Sequence, residues 1–357
     1  MPDAAILDDP EARARLDAGG MAKAVRELPD QCRQAWNEAR RLELPPTYRE
    51  IDRIVILGMG GSAIAGDIFR LLLARECPVP VLNHRHYTLP PYVDGRTLLI
   101  ASSFSGNTEE TVSAFVQGLA TPAKKLAITT GGRLLTTARA NGVPAFVFSF
   151  RGEPRAAFGY GLMPLLAVAE ALGLTQDAGR DVDEAISAME SLRERIGEDA
   201  PLAANPAKQM ALRLAGRLPV VYGAEILTEV AHRWKTQFNE STKVWAYCEQ
   251  LPEANHNAIV SSSLPPEVAH LITAVYLRSP HLHPRVALHY EFSQRVLAEA
   301  GVDYLEGQAE GRSALAQALT GVLLGDYVSF YLAMLNGVDP TPTTTIDNLK
   351  AWMAQQK

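Results

Sequence analysis

The chain has 357 residues, of which 47% are hydrophobic and 21% are charged, and its formal net charge is −6. This length and apolar content suit two domains with sizeable cores. The absence of a basic stripe argues against a nucleic-acid partner, and the acidic N-terminal stretch lacks the apolar core of a signal peptide. Three scattered cysteines predict reduced thiols in a cytoplasmic protein instead of a disulfide framework.

Residues 1–45 form a predicted helical segment with apolar residues at helical spacing, closed by Pro45 and Pro46. From residue 46 to 153, strands and helices alternate with short loops, and this order predicts a parallel sheet covered on both faces. The predicted strands are 52–57, 79–83, 97–101, 125–129 and 144–149, and the predicted helices are 62–75, 109–120 and 133–141.

A mostly helical connection is predicted over residues 154–216, and a second alternating set follows over 217–357. Its long apolar stretch, 315–338, is interrupted by Asp326 and is predicted to be a buried core helix, not a membrane span. The remaining predicted strands are 218–223, 269–277 and 302–305, and the remaining predicted helices are 227–238, 286–300, 313–336 and 346–356. The two halves therefore predict a pseudo-symmetric pair of αβα units with a site between them.

The stretch 54–70, IVILGMGGSAIAGDIFR, combines a buried strand, a glycine turn and the start of a helix. Glycines such as Gly61 let backbone N–H groups approach a ligand, and Ser62 stands where the helix begins. Because a helix N-terminus favours negative charge, this stretch predicts an anion site, most simply for a phosphate group.

A second loop, ASSFSGNTEET at 101–111, follows the third predicted strand. Ligands of open α/β sheets bind beyond the carboxyl ends of the strands. The hydroxyls of Ser103, Ser105 and Thr108 lie in this position, next to another helix start. We expect them to bind phosphate oxygens without a basic residue.

Candidate catalytic residues come from four other stretches. Arg133 follows the strand ending in ITTGG, where its charge can stabilise an anionic intermediate. Glu240 and His256 lie in a polar cluster of the otherwise apolar second half and suit an acid/base pair. Thr343 and Lys350 of the tail carry a weaker signal. The H-x-H of residues 281–283 has no carboxylate at a familiar ligand spacing, so no metal site is predicted.

Two rival functions remain open from these residues alone. Gly58, Gly60 and Ala63 fit the common G-x-G-x-x-A pattern of dinucleotide-binding proteins. The second strand ends in LNHRH, without the acid that binds the NAD ribose, and Arg85 leaves room for an NADP-dependent oxidoreductase. The other rival is a non-catalytic sugar-phosphate-binding protein, which would keep both loops and dispense with Glu240.

The ordered set of motifs resembles a known family. GMGGSAIAGD at 58–67 followed by SSFSGNTEET at 102–111 is similar to the sugar isomerase (SIS) domain, a flavodoxin-like αβα sandwich. NESTK at 239–243 and LPEANHN at 251–257, with Thr343 and Lys350, resemble the bifunctional phosphoglucose/phosphomannose isomerases. The resemblance covers about residues 20 to 350.

The resemblance implies an aldose–ketose isomerase that converts glucose and mannose 6-phosphates to fructose 6-phosphate without metal or cofactor. It implies that Gly61, Ser62, Ser103, Ser105 and Thr108 bind the phosphate, and that Thr343 leaves room for rotation about C2–C3. Glu240 would move the proton between C2 and C1.

The same resemblance implies that Arg133 stabilises the cis-enediolate. His256 and Lys350 would open the sugar ring, with His256 reaching across from the partner in a homodimer. One residue departs from the family pattern: Ala258 stands after the His-Asn pair, where a glutamate is common.

Overall fold

The first half of the chain builds one parallel sheet. The computed structural model describes residues 3–356. Five strands pair in the order β2-β1-β3-β4-β5, and all neighbours run parallel. The elements of this half are α1 (Pro10–Leu16), α2 (Met21–Arg26), α3 (Leu28–Ala39), β1 (Arg53–Leu57), α4 (Gly60–Leu73), β2 (Val81–His84), β3 (Thr97–Ser103), α5 (Glu109–Leu119), β4 (Lys124–Thr129), α6 (Gly132–Ala140) and β5 (Ala145–Val147).

The second half repeats this order with one strand fewer. Its sheet pairs as β7-β6-β8-β9, again wholly parallel. The helical connection and the second sheet comprise α7 (Phe158–Leu172), α8 (Ala178–Ile196), α9 (Pro206–Leu214), β6 (Leu218–Ala224), α10 (Thr228–Gln237), β7 (Tyr247–Leu251), α11 (Pro266–Ala269), β8 (Ile272–Arg278), α12 (Pro284–Glu299), β9 (Asp303–Gln308), α13 (Ala314–Leu335) and α14 (Thr344–Met353).

These two sheets confirm the predicted pair of pseudo-symmetric parallel α/β units. The sequence analysis does not predict one edge strand, β7, because Tyr247–Leu251 alternates polar and apolar residues only weakly. The first residues of the predicted strand 269–277 instead belong to α11 and the turn after it. The division into segments 1–45, 46–153, 154–216 and 217–357 stays a prediction.

The long apolar helix α13 lies in the middle of the molecule. Every residue from Leu315 to Leu335 is buried, so the prediction of a core helix is confirmed. It packs against α8, α9 and α10, and its side chains belong to the largest hydrophobic cluster. That cluster also includes residues of α3, α4 and α7, so one continuous core joins the two sheets and fixes the cleft between them.

Candidate active site

The hydroxyl loop after β3 is held by its own side chains. Ser103 is only 1% exposed. Its Oγ lies 2.9 Å from Thr108 Oγ1 and accepts a hydrogen bond of 3.1 Å from Gly106 N. Ser105 is exposed, and its Oγ accepts from Asn107 N at 3.2 Å. Three of the predicted phosphate-binding hydroxyls therefore stand together at the start of α5.

The glycine turn after β1 lies beside this loop. Ser62 Oγ accepts a hydrogen bond of 3.2 Å from Phe104 N, which joins the turn to the hydroxyl loop. The α4 helix begins at Gly60, so its first N–H groups face the same space. A Cβ on Gly61 would come within 3.2 Å of Arg155 Cα. The absence of a side chain at Gly61 thus lets the backbone of another segment approach the turn.

The ITTGG stretch braces the hydroxyl loop. Thr130 Oγ1 donates to Phe104 O at 2.7 Å, and Leu134 N donates to Gly106 O at 2.8 Å. The backbone N–H of Arg133 donates to Asn107 Oδ1 at 3.0 Å, and the Arg133 side chain is exposed. Within residues 3–356, no hydrogen bond or ion pair joins the Arg133 guanidinium to Glu240.

Glu240 lies in the π-helical turn Phe238–Thr242, which extends α10. Such turns concentrate at functional sites because they displace a side chain from its regular helical position. The turn is firmly held: Thr242 Oγ1 donates to Phe238 O at 2.6 Å, and Asn336 Nδ2 donates to Thr242 O at 3.2 Å. The turn ends at Lys243, whose φ of 61° is left-handed. The Glu240 side chain stays 28% exposed, so it remains open to a ligand.

The guanidinium nearest Glu240 belongs to Arg155. Its Nη1 lies 3.5 Å from Glu240 Oε2 and 3.4 Å from Glu153 Oε2, and its Nε lies 3.4 Å from Ser241 Oγ. Arg155 is 3% exposed. Burial lowers the pKa of this guanidinium, while the charge of Glu240 opposes that shift. A buried cation therefore faces the carboxylate from the other half of the chain.

Sequence reasoning missed Arg155, although a signal was present. The residue follows β5, the last strand of the first sheet, in the run RGEPRAA. It lies beyond the carboxyl end of the sheet, where ligands of such sheets bind. The sequence alone favoured Arg133, because that arginine opens the helix after the fourth predicted strand, at the carboxyl edge of the sheet.

Arg155 also fixes the segment that carries Thr343. Its Nη2 donates to Pro340 O at 2.6 Å and to Thr341 O at 2.7 Å, and Lys243 Nζ donates to Pro342 O at 2.7 Å. The segment 340–342 is thereby tied to both sides of Glu240. Thr343 follows it as the residue before α14.

His256 and Lys350 do not reach Glu240 in the described part of the chain. His256 is exposed at the end of a 3₁₀ turn, Glu253–His256, and its ring centre lies 6.3 Å from that of His289. Lys350 lies on α14, where its Nζ is 3.4 Å from Asp347 Oδ1 and its side chain is 71% exposed. The chain's own cleft therefore brings together Glu240 and Arg155 without these two side chains.

The residue that departs from the family pattern is accommodated by packing. Ala258 contacts the apolar cluster under the second sheet. The loop around it is fixed by Asn255, whose Nδ2 donates to His289 O at 3.0 Å and whose Oδ1 accepts from Ser293 Oγ at 2.7 Å. The His256 loop is therefore anchored without a glutamate at position 258.

A cavity of about 120 Å³ lies next to Glu240 and opens between the two halves of the chain. Gly60 and Gly61 form one wall, and Arg155 and Glu240 form another. The further lining residues are Ile64, Arg85, His232, Arg233, Thr236 and Gln237. This lining is mostly polar and charged.

Ion pairs other than that of Arg155 with Glu240 also border this cavity. Arg85, the candidate for a 2′-phosphate of NADP, pairs with the buried Asp67. Glu229 is bound by Arg70 Nη2 at 3.0 Å and lies 3.3 Å from His232 Nδ1. Asp67, Glu229 and His232 stand close enough together to share a cation, but the arginines already neutralise both carboxylates. This arrangement favours an electrostatic link between the halves over a metal centre.

The chain is similar in sequence to known proteins of one family. A bifunctional phosphoglucose/phosphomannose isomerase of Caldicellulosiruptor bescii is 39% identical over 338 residues, which cover 94% of this chain and all of that protein. The corresponding protein of Aquifex aeolicus is 35% identical over 83% of this chain and 89% of its own length. The chain belongs to the bifunctional phosphoglucose/phosphomannose isomerase family. Residues 203–353 also match the family described as bacterial phospho-glucose isomerase C-terminal SIS domain.

Solved structures agree on the SIS fold of this phosphoglucose/phosphomannose isomerase family member. A hypothetical protein of Thermus thermophilus superposes with a TM-score of 0.74 at 21% identity, over 97% of this chain and 93% of that chain. A glucose-6-phosphate isomerase-like protein from the same organism gives a TM-score of 0.60 at 20% identity, over 94% and 97%. At these identities the similarity concerns the fold.

Proposed function

We propose that the protein is an aldose–ketose isomerase that interconverts glucose 6-phosphate and mannose 6-phosphate with fructose 6-phosphate. The observation that carries the proposal is the carboxylate of Glu240, which lies 3.5 Å from Arg155 Nη1 and lines a small cavity together with it, beside the glycine turn. The hydroxyl cluster of Ser62, Ser103 and Thr108 borders the same turn. An acid/base residue and a candidate anion site beside the same glycine turn suit a phosphorylated sugar chain. The names of the two relatives described above support the same substrates.

The proposed reaction needs one base and one cation. With the phosphate bound at the hydroxyl loop, Glu240 removes the proton from C2 of the open-chain aldose, and the C2–H electron pair forms the C1–C2 double bond of an enediolate. Arg155 stabilises the negative oxygen, because a fixed cation in a shielded site acts strongly on charge that develops there. The O2 hydroxyl proton passes to O1, and as the C2 carbonyl forms, the electron pair of the double bond takes the proton back from Glu240 at C1. We assign to Arg155 the role that the sequence suggested for Arg133.

Ring opening requires residues that this chain does not bring to its own cleft. We propose a homodimer in which His256 comes from the partner copy and Lys350 lies at the shared site, with Thr343 beside the reacting carbons. The exposed apolar side chains on α14 support an interface there: Leu349 and Trp352 are each 56% exposed, and Met353 is 37% exposed. An apolar helix face of this kind is typical of surfaces that a partner covers.

A cytoplasmic location is also part of the proposal. Cys32, Cys77 and Cys248 are all free thiols, which suits a reducing compartment.

Glu240→Gln tests the central step. We expect substrate binding to persist while kcat falls at least about 10²-fold, the usual size of general base catalysis. Turnover of each hexose 6-phosphate is measured by a coupled assay, and solvent deuterium at C1 or C2 of the product reports the proton transfer. Glu306→Gln is the matched control, because Glu306 also pairs with an arginine, Arg278 at 3.0 Å, on the second sheet.

The outcomes separate the candidate functions. Full activity in Glu240→Gln would remove this residue from the mechanism. A wild-type protein that binds the sugar phosphates without turnover would instead be a binding protein. The dimer is tested by light scattering on Trp352→Asp: we expect monomers with little activity, and an active monomer would contradict the shared site.

A further inference from the structure

One buried acid remains without a part in the proposed chemistry. Asp326 is the sole charged residue of α13, whose other residues are mostly apolar, and it is 5% exposed. A carboxylate in such surroundings is costly unless it is paired and hydrogen-bonded. Burial raises the pKa of this carboxyl, against the effect of Arg233.

Both oxygens of Asp326 bind side chains of α10. Oδ2 accepts from Arg233 Nη2 at 2.7 Å, and Oδ1 accepts from Gln237 Nε2 at 2.9 Å. Arg233 is 2% exposed and Gln237 is 3% exposed. Four residues apart on one helix, these two side chains point to the same face, so a single carboxylate orients the last turn of α10.

The two partners of Asp326 lead to the two proposed catalytic groups. Gln237 immediately precedes the π-helical turn that carries Glu240. Arg233 Nη2 also donates to the backbone carbonyl of Arg155 at 3.1 Å, and its guanidinium stacks on Phe158 with 4.5 Å to the ring centre. Asp326 is therefore connected to Glu240 through Gln237 and to Arg155 through Arg233.

Stability alone gives a weak reason for this arrangement. Replacing a buried ion pair by well-packed apolar residues is often neutral or stabilising. The surrounding helix is otherwise built from such residues. A directional set of hydrogen bonds, by contrast, fixes the relative position of α10 and the Arg155 segment, which come from different halves of the chain.

We propose that Asp326 is a positioning residue of the isomerase: through Arg233 and Gln237 it holds Glu240 and Arg155 at the separation that proton transfer requires. This inference rests on the proposed function. Displacement of reacting groups by about 1 Å costs on the order of 10²-fold in rate. Substrate binding depends on the hydroxyl loop, which Asp326 does not contact.

The test compares Asp326→Asn with a matched control beside the same helix. Lys208 is 1% exposed, lies 5.5 Å from the ring centre of Tyr331 on α13, and pairs with Asp8 at 2.9 Å. Lys208→Met therefore removes a buried cation, which pairs with the exposed carboxylate of Asp8, beside α13 and away from the cavity. For Asp326→Asn we expect kcat to fall about 10- to 100-fold, with KM changed less than about 3-fold. The primary isotope effect with C2-deuterated substrate should rise as proton transfer becomes slower. For Lys208→Met we expect a comparable loss of Tm and a nearly unchanged kcat.

A second variant keeps the inference falsifiable if Asp326→Asn does not fold. Asp326→Leu combined with Arg233→Met removes both buried charges and should restore stability, while kcat stays low. Because Arg233 lines the cavity, KM is compared only in Asp326→Asn. Wild-type kcat in either folded variant, or an equal loss of kcat in Lys208→Met, would overturn the positioning role. If the wild type turns over and depends on Glu240 while Asp326→Asn is fully active, only this inference fails. An inactive wild type would refute the proposed function itself.

Discussion

Replacing Arg155 by lysine, and Arg133 by lysine in parallel, tests which of the two arginines stabilises the proposed enediolate. Arg155→Lys keeps the positive charge but cannot keep the several contacts that the guanidinium makes at once. It loses the bonds of Nη2 to Pro340 O and Thr341 O, and it moves the charge away from Glu240. Arg133→Lys changes only an exposed side chain.

The size of the effect follows from these contacts. A hydrogen bond to a charged group contributes about 1.5–3 kcal/mol, so loss of the two carbonyl bonds should lower the free energy of unfolding by roughly 2–4 kcal/mol after partial replacement by the lysine ammonium. A misplaced cation at a developing oxyanion costs about 10²- to 10³-fold in kcat. For Arg155→Lys we therefore expect kcat to fall by at least about 10²-fold, whereas Arg133→Lys should stay within about 2-fold of the wild type.

A coupled assay that follows fructose 6-phosphate to glucose 6-phosphate measures both variants, and thermal unfolding with near-ultraviolet circular dichroism checks that Arg155→Lys is folded at the assay temperature. A folded Arg155→Lys with wild-type kcat would refute the reasoning. A large loss of kcat in Arg133→Lys would also refute it, because the role of stabilising the enediolate would then belong to Arg133, as the sequence suggested.

Three further outcomes follow from the structure. Ser103→Ala removes a buried hydroxyl that bonds Gly106 and Thr108 of the hydroxyl loop, so KM for fructose 6-phosphate should rise about 10-fold, from a loss of about 1.4 kcal/mol of hydrogen bonding. Ser187→Ala on the exposed face of α8 is the control, and an unchanged KM would exclude Ser103 from phosphate binding. Treatment with EDTA should leave the rate unchanged, because arginines already neutralise the carboxylates beside the cavity; a loss restored by Zn²⁺ would contradict this. The hydrogen bond from Lys208 lowers the pKa of Asp8 from its ordinary value of 3.8. The pair therefore contributes stability above about pH 4, and this stability disappears as the pH falls through the lower folded pKa. Asp8→Asn should flatten the fall in the free energy of unfolding below pH 4, and an unchanged pH dependence there would show that the pair contributes nothing.

Much of the fold could be predicted because its signals are local. In β1, β3 and β4 an apolar run is followed by a glycine and the start of a helix. Each of these patterns is contained in about fifteen residues of sequence. The strand β7 lacks that signal. It pairs with β6 at the sheet edge, where one face stays open, and its residues Tyr247 and Gln250 are exposed. An edge strand of this kind needs no continuous apolar run.

The candidate site could be predicted only where its residues share a loop. Ser103, Ser105 and Thr108 are within six residues of one another, so their association needed no knowledge of the fold. The pairing of Arg155 with Glu240 joins residues separated by 85 positions. No periodicity links them, because their contact depends on how α4, α7 and α10 pack around one core. The sequence therefore offered Glu240 and Arg133 as candidates, and both roles stay predictions, while the contact of Glu240 with Arg155 becomes visible only in the structure.

The packing that brings Arg155 and Glu240 together also determines where the candidate site lies. Glu240 belongs to a turn fixed to the residue that follows α13, and Arg155 belongs to a segment that lies against the backbone of Gly61. The hydroxyl loop, Arg155 and Glu240 thus come from three segments that pack around one common core. A substrate held at the hydroxyl loop would then find its reacting carbons beside groups whose separation is set by buried contacts on α13 and α10, not by a mobile loop. Such preorganisation is what stabilisation of a short-lived enediolate requires, because the charges do not have to reorient during proton transfer.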